Sequence, residues 1–174
     1  MRPSELFHLF GDLNNLSGIG PKTIINLKNL SIEKPRDFLF NLPFSVLDRL
    51  PVSSIRGVPA SKIVTVEVLV KAHKIGRSRA SAHRVTVQDT EVSFQLVFFN
   101  ARKEYLESLL PVGERRIISG KLEFYENIPQ IVHPHHVKKI NEEKAIVRFE
   151  PVYPLTSGVS QKLMFGTING LLEK

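Results

Sequence analysis

The sequence predicts a mostly β fold: a closed five-stranded Greek-key barrel, preceded by short helices and followed by a linker and a C-terminal helix. Three observations predict it. Apolar residues recur with strand character in five segments between Lys62 and His133. The first sixty residues lack that pattern and carry helical spacing punctuated by Gly and Pro. One helix-periodic segment, Arg102 to Leu110, stands between the third and fourth strands.

In chain order, Gly18-Ile19-Gly20-Pro21-Lys22-Thr23 is a turn that opens a helix, because Pro21 suits the first helical position and Ile24, Ile25, Leu27 and Leu30 supply an apolar face. Pro35 to Leu42 is a second short helix closed by Pro43. From Lys62, Val64, Val66, Val68 and Val70 alternate with Thr65, Glu67, Leu69 and Lys71 to make the first strand. A Gly/Ser/Arg loop leads to Arg84–Gln88, and Asp89-Thr90-Glu91 connects this second strand to the third, Val92–Phe99. Val92, Phe94, Leu96 and Phe98 share one face of the third strand, and Ser93, Gln95, Val97 and Phe99 the other. After the Arg102–Leu110 helix, stopped by Pro111-Val112-Gly113, Arg115–Phe124 is the fourth strand, with Gly120 read as a bulge or tight bend. Glu126-Asn127-Ile128-Pro129 turns into the fifth, Gln130–His133. Residues 141–160 read as a linker, and Ser160 to Leu172 as a final helix. A helix between strands three and four of a five-stranded barrel is the OB arrangement. The division expected is a helical segment over 1–60, the barrel over 61–140, and a linker and helix over 141–174.

The 174 residues carry 24 Lys plus Arg against 17 Asp plus Glu, a formal charge of +7. Such a balance favours a polyanionic partner. Residues 61–140 hold 13 basic and 8 acidic side chains, so most of the excess sits in the barrel. Between Val68 and Gln88 stand Lys71, Lys74, Arg77, Arg79 and Arg84 with no acid among them. There is no cysteine, which removes disulfides and thiolate chemistry and suits a reducing cytoplasm. No run approaches the ~20 apolar residues that a membrane span requires.

An OB barrel presents strands two and three and two of its loops to a ligand. Here they carry the basic loop, Phe99 with Arg102 and Lys103 just beyond it, and Tyr125; Phe94 and Phe98 are assigned to the core. Cations hold phosphates while aromatic rings stack bases, which suits single strands. The Gly18–Thr23 turn lacks the spacing of a phosphate-binding P-loop. It fits the hairpin of a helix-hairpin-helix element, where Gly18, Gly20 and Lys22 would meet a DNA phosphate, or a plain helix–helix turn. His133-Pro134-His135-His136, with distant His73 or His83, is the one metal-like cluster, but no carboxylate or cysteine lies nearby to complete a tetrahedral site, and no metal is expected. Ser31-Ile32-Glu33-Lys34 has the spacing of a nucleophile–base pair but no partners, and there is no Gly-x-Ser-x-Gly elbow. No catalytic residue is expected.

Leu16-Ser17-Gly18-Ile19-Gly20-Pro21-Lys22 and Asp37-Phe38-Leu39-Phe40-Asn41-Leu42-Pro43, then Val97-Phe98-Phe99-Asn100, Gly120-Lys121, Gln130-Ile131-Val132-His133-Pro134 and Pro151-Val152-Tyr153-Pro154-Leu155-Thr156, run in one order from about residue 13 to 165. Together they resemble the N-terminal wedge domain of the bacterial RecG branched-DNA helicases, whose core is an OB fold. The resemblance implies a module that binds replication forks and Holliday junctions in DNA repair and recombination and parts their strands. It implies two downstream motor domains that use ATP and Mg2+, so no cofactor and no enzyme activity are expected of this segment. It also implies stacking by Phe99 and, across a longer spacer than in some relatives, by Tyr105. Lys74, Arg77, Arg79, Arg84, Arg102, Lys103, Lys121, Gly18, Gly20 and Lys22 complete the expected DNA-binding set. The expected partners are branched and single-stranded DNA met by a cytoplasmic monomer. The alternatives are a docking module for the acidic tail of a single-strand-binding protein and a metal-dependent hydrolase built on the histidines.

Overall fold

The structure is a computed structural model that describes residues 3–76 and 81–173, the side chains of residues 5 and 143–145 excepted. In chain order its elements are α1 (Pro21–Leu27), α2 (Pro35–Phe40), β1 (Ser45–Val52), β2 (Ile63–Lys74), β3 (His83–Gln88), β4 (Ser93–Phe98), α3 (Lys103–Leu109), β5 (Arg115–Tyr125), β6 (Ile128–Val132), β7 (His136–Lys138), β8 (Phe149–Val152) and α4 (Gln161–Leu172), with short 3-10 turns between. They form two compact units: residues 47–150, and residues 1–46 together with 151–174.

In the first unit, β2 pairs antiparallel with β3, β3 with β4, and β5 with both β2 and β6. A parallel β4–β6 ladder completes the ring. The five strands expected from the sequence therefore close into an OB barrel, and closure removes the unpaired edges that an open sheet would expose. Alternation decides what fills it. Val64, Val66, Val68 and Val70 of β2, Val85 and Val87 of β3, and Phe94, Leu96 and Phe98 of β4 all point inward, while Leu106 and Leu110 pack in from α3 and its end. Each such buried side chain contributes roughly 1.5–3 kcal/mol.

Three strands were not expected. β1 runs parallel to β2, pairing Arg49 with Ile63 through Val52 with Val66. β7 pairs with β5, and β8 lies beside β1 at the end of the sheet. Pro51 and Pro151 each remove a ladder donor, and Asp48, Arg49 and Glu150 interrupt the apolar alternation, so the local pattern hides both strands. Residues 141–150, read as linker, thus belong with the barrel, and 1–60 is helical only as far as Phe40.

The turn between β3 and β4 is fixed by Asp89. Its buried carboxylate accepts from the backbone N–H groups of Ile55, Glu91 and Val92 at 2.8–2.9 Å and from the Ser54 hydroxyl at 3.1 Å. Burial pushes this carboxyl upward, but these donors outweigh it and hold it below the usual carboxylate range.

Gly120, read as a bulge or tight bend, pairs in regular register with Val64 in the β2–β5 ladder; the register shift lies in the β2–β3 ladder, between Val70 and Ala72. The glycine is needed for close approach. A Cβ there would stand 2.5 Å from Ile131 Cγ2 and 3.2 Å from Pro134 Cα. Ile131 is fully buried and β-branched, so it has little room to yield. Gly120→Ala is expected to destabilise the barrel by about 1–3 kcal/mol in thermal unfolding; an unchanged midpoint would mean that this seam has slack.

In the second unit, Leu13, Ile19, Leu27, Ile32 and Phe38 from the N-terminal segment share a core with Tyr153, Val159, Met164, Ile168 and Leu171. The last helix is therefore packed rather than trailing. Its N-cap, Ser160, accepts from the Leu163 N–H at 3.2 Å. α1 begins at Pro21 after an extended Gly20, as expected, yet of its predicted apolar face Ile25 is exposed.

Candidate nucleic-acid interface

Phe98 closes β4 with its ring in the core, and the next side chain turns outward by alternation. Phe99 is 46% exposed. Asn100 then adopts a left-handed φ of 55°, which asparagine tolerates better than most residues, and turns the chain toward α3. Arg102 is the exposed N-cap residue of that helix, and Tyr105, in its first turn, is 61% exposed. Phe99, Asn100, Arg102 and Tyr105 line one groove of about 650 Å³ together with His133 and His135. Arg102 has no carboxylate partner among the described residues. Two exposed rings and an uncompensated cation on one groove can stack bases and hold a phosphate.

The other candidates lie elsewhere. Lys74 is exposed at the end of β2, directly across the ladder from a half-buried Arg84. Arg77 and Arg79 lie outside the described residues. Lys103 stands 3.8 Å from Glu107 and Lys121 3.3 Å from Glu123; both are surface pairs of small worth, and neither lysine lines the groove. Gly18, with a left-handed φ of 77°, Gly20 and the exposed Lys22 belong to the helical unit.

His73, His83, His133 and His135 are each hydrogen-bonded through the ring. His73 Nδ1 and His83 Nε2 are hydrogen-bonded at 3.1 Å, and His73 Nε2 donates to the Leu110 carbonyl at 2.8 Å. Burial, then the neighbouring His73, pulls His83 below the usual imidazole range. His135 and His136 are lowered by burial and then by Arg49, with Glu150 opposing. His133 Nε2 accepts from the Phe99 N–H at 3.2 Å. Among the described residues, no three His, Asp or Glu side chains are grouped to hold a metal, and no helix is long and apolar enough to cross a membrane.

One feature of the barrel went unread in the sequence. Arg49, only 3% exposed, donates through Nε to Glu150 at 3.0 Å, through Nη1 to Ser119 Oγ at 3.2 Å and to His135 Nδ1 at 3.0 Å, and through Nη2 to the same Glu150 oxygen. Since arginine only donates, His135 accepts as a neutral imidazole. Thr65 Oγ1 completes the network on Ser119 at 3.0 Å.

A family model described as the RecG wedge domain matches residues 12–172 of this chain. The ATP-dependent DNA helicase RecG of Haemophilus influenzae is 28% identical over 152 residues, covering 86% of this chain and 22% of that protein. The ATP-dependent DNA helicase RecG of Thermotoga maritima is 28% identical over 164 residues, covering 92% and 21%. Among solved structures the chain is similar to RecG bound to a three-way DNA junction, with 27% identity and a TM-score of 0.73 over 92% of this chain and 22% of that one. The chain thus spans about a fifth of the length of the curated relatives it matches.

Proposed function

The chain belongs to the RecG wedge-domain family, and from that premise we propose that it binds branched DNA, at replication forks and Holliday junctions, and parts the strands where they diverge. The observation that carries this reading is the groove that exposed Phe99 and Tyr105 line together with Arg102, which has no carboxylate partner among the described residues. A base pair at a branch point has one face uncovered, and an aromatic ring that caps it replaces the lost stacking partner. Duplex arms offer phosphates, which Lys74 and Arg84, with Arg77 and Arg79 between them in the sequence, would hold without regard to sequence. On this reading the reacting chemistry belongs to the remaining four-fifths of the longer relatives, whose ATP and Mg2+ would drive translocation, while this segment supplies only binding and strand separation, in DNA repair and recombination.

The test is a set of titrations of the 174-residue chain with a model fork, a blunt duplex and a single strand at several salt concentrations. The fork is expected to bind more tightly than the duplex at every salt. Replacing Lys74 and Arg84 by alanine should weaken both alike and make log K less steep in log salt by roughly one unit per lost phosphate contact. Equal affinity for fork and duplex would remove the wedge reading. Binding of an acidic tail peptide in place of forks would put a docking module for a single-strand-binding protein in its stead.

A further inference from the structure

We propose that His133 is a positioning residue for Phe99, holding the exposed ring at the mouth of the groove from a neighbouring strand. β4 and β6 run parallel and in register as far as Val97 and Val132. The His133 N–H continues the ladder by donating to the Val97 carbonyl at 2.9 Å. Beyond that point the strands part, and the next donor, the Phe99 N–H, would have no backbone acceptor. His133 supplies one from its side chain: Nε2 accepts the Phe99 N–H at 3.2 Å. The backbone of His133 takes a left-handed φ of 45°, an uncommon conformation for a residue with a Cβ. Strain of this kind persists only where the surrounding structure holds it in place.

The same imidazole packs against both phenylalanines. Its centroid lies 5.8 Å from that of Phe99 with the planes tilted by 39°, and 6.1 Å from that of Phe98 in an edge-on arrangement. Phe98 is locked in the core, so His133 is braced on a fixed ring and in turn backs a free one. A half-exposed side chain at a strand end would otherwise sample several rotamers, and ordering it on binding would cost affinity. Backed on one side by His133 and tied at its own backbone, Phe99 is pre-organised to take a base on its open side. This role rests on the fork-binding reading of Phe99 and extends it to a residue that need not touch DNA.

The experiment is a double-mutant cycle with Phe99→Ala, read by fork and blunt-duplex titrations of the 174-residue chain. His133→Leu removes both the acceptor and the aromatic plate. His133→Gln keeps an acceptor of similar reach, and neither replacement is β-branched, so each meets the left-handed backbone on similar terms. His133→Leu is expected to weaken fork binding roughly five- to tenfold, about what one hydrogen bond and one ring contact supply. Duplex binding should stay unchanged, and His133→Gln, which keeps the acceptor but not the ring, should restore about half of the loss in free-energy terms. In the Phe99→Ala background, His133→Leu should add no more than about twofold. Weakening that persists undiminished in that background, or that strikes the duplex equally, would overturn the positioning role. If Phe99→Ala weakens forks while His133→Leu does not, only the role of His133 fails; if Phe99→Ala leaves forks unaffected, the reading of the groove fails first.

Discussion

Phe99→Ala is expected to lower affinity for a fork by about five- to more than a hundredfold, the range that corresponds to roughly 1–3 kcal/mol of base stacking. Affinity for blunt duplex should move far less, because phosphate contacts govern it. Thermal stability should also be nearly unchanged. A buried phenylalanine costs about 3–5 kcal/mol when truncated, but Phe99 stands 46% exposed, and its backbone hydrogen bond to His133 survives in an alanine. Tyr105→Ala should show the same selectivity, since its more exposed ring lines the same groove. Paired titrations and melting curves decide the matter. A large drop in melting temperature with equal loss on both DNAs would make Phe99 a packing residue and nothing more.

Arg49→Met should be the most destabilising single replacement of a charged residue in the barrel unit, at about 3–5 kcal/mol. The cost lies less in the lost attraction than in what stays behind: a largely buried Glu150 carboxylate without its cation, and His135 Nδ1 without its donor. If so, removing the carboxylate as well, in Arg49→Met/Glu150→Leu, should recover much of the loss, because two apolar groups leave no unpaired charge. Chemical denaturation of the wild type, both singles and the double closes the cycle. A double variant no more stable than Arg49→Met would show that the guanidinium acts through packing alone.

The barrel was legible because alternation is a local signal. Four valines at every second position of β2 and the Phe94/Leu96/Phe98 row of β4 declare a buried face within a few residues, and the parity that puts those rings inside puts Phe99 outside. What alternation cannot express is a relation between distant segments. β1 and β8 each carry a proline and charged residues in place of an apolar alternation, and they are linked by an ion pair between residues 49 and 150. Gly120 looked like a bulge because the approach of Ile131 and Pro134 belongs to another strand and its turn. The pairing of Phe99 with His133 is hidden for the same reason: 34 residues separate them, and the left-handed backbone that brings the imidazole back has no signature in a histidine. Within the histidine run, the ring bonds of His133 to Phe99 and of His135 to Arg49 reach across the barrel in the same way and leave no local pattern.

The assembly of one unit from the two ends of the chain sets a timetable during synthesis. Residues 47–150 emerge as a continuous stretch and carry every strand of the closed barrel, so the barrel can form while translation is still under way. The first 46 residues cannot finish folding so early, because Met164, Ile168 and Leu171, which complete their core, come off the ribosome roughly a hundred residues later. At the usual elongation rate of about 5–20 residues per second, that is a wait of roughly 5–20 seconds. Throughout it, Leu13, Ile19, Leu27, Ile32 and Phe38 lack half of their apolar surroundings. The nascent chain therefore carries a finished barrel tethered to an unfinished, sticky leader, and that interval is when a chaperone or a misplaced neighbour would find it.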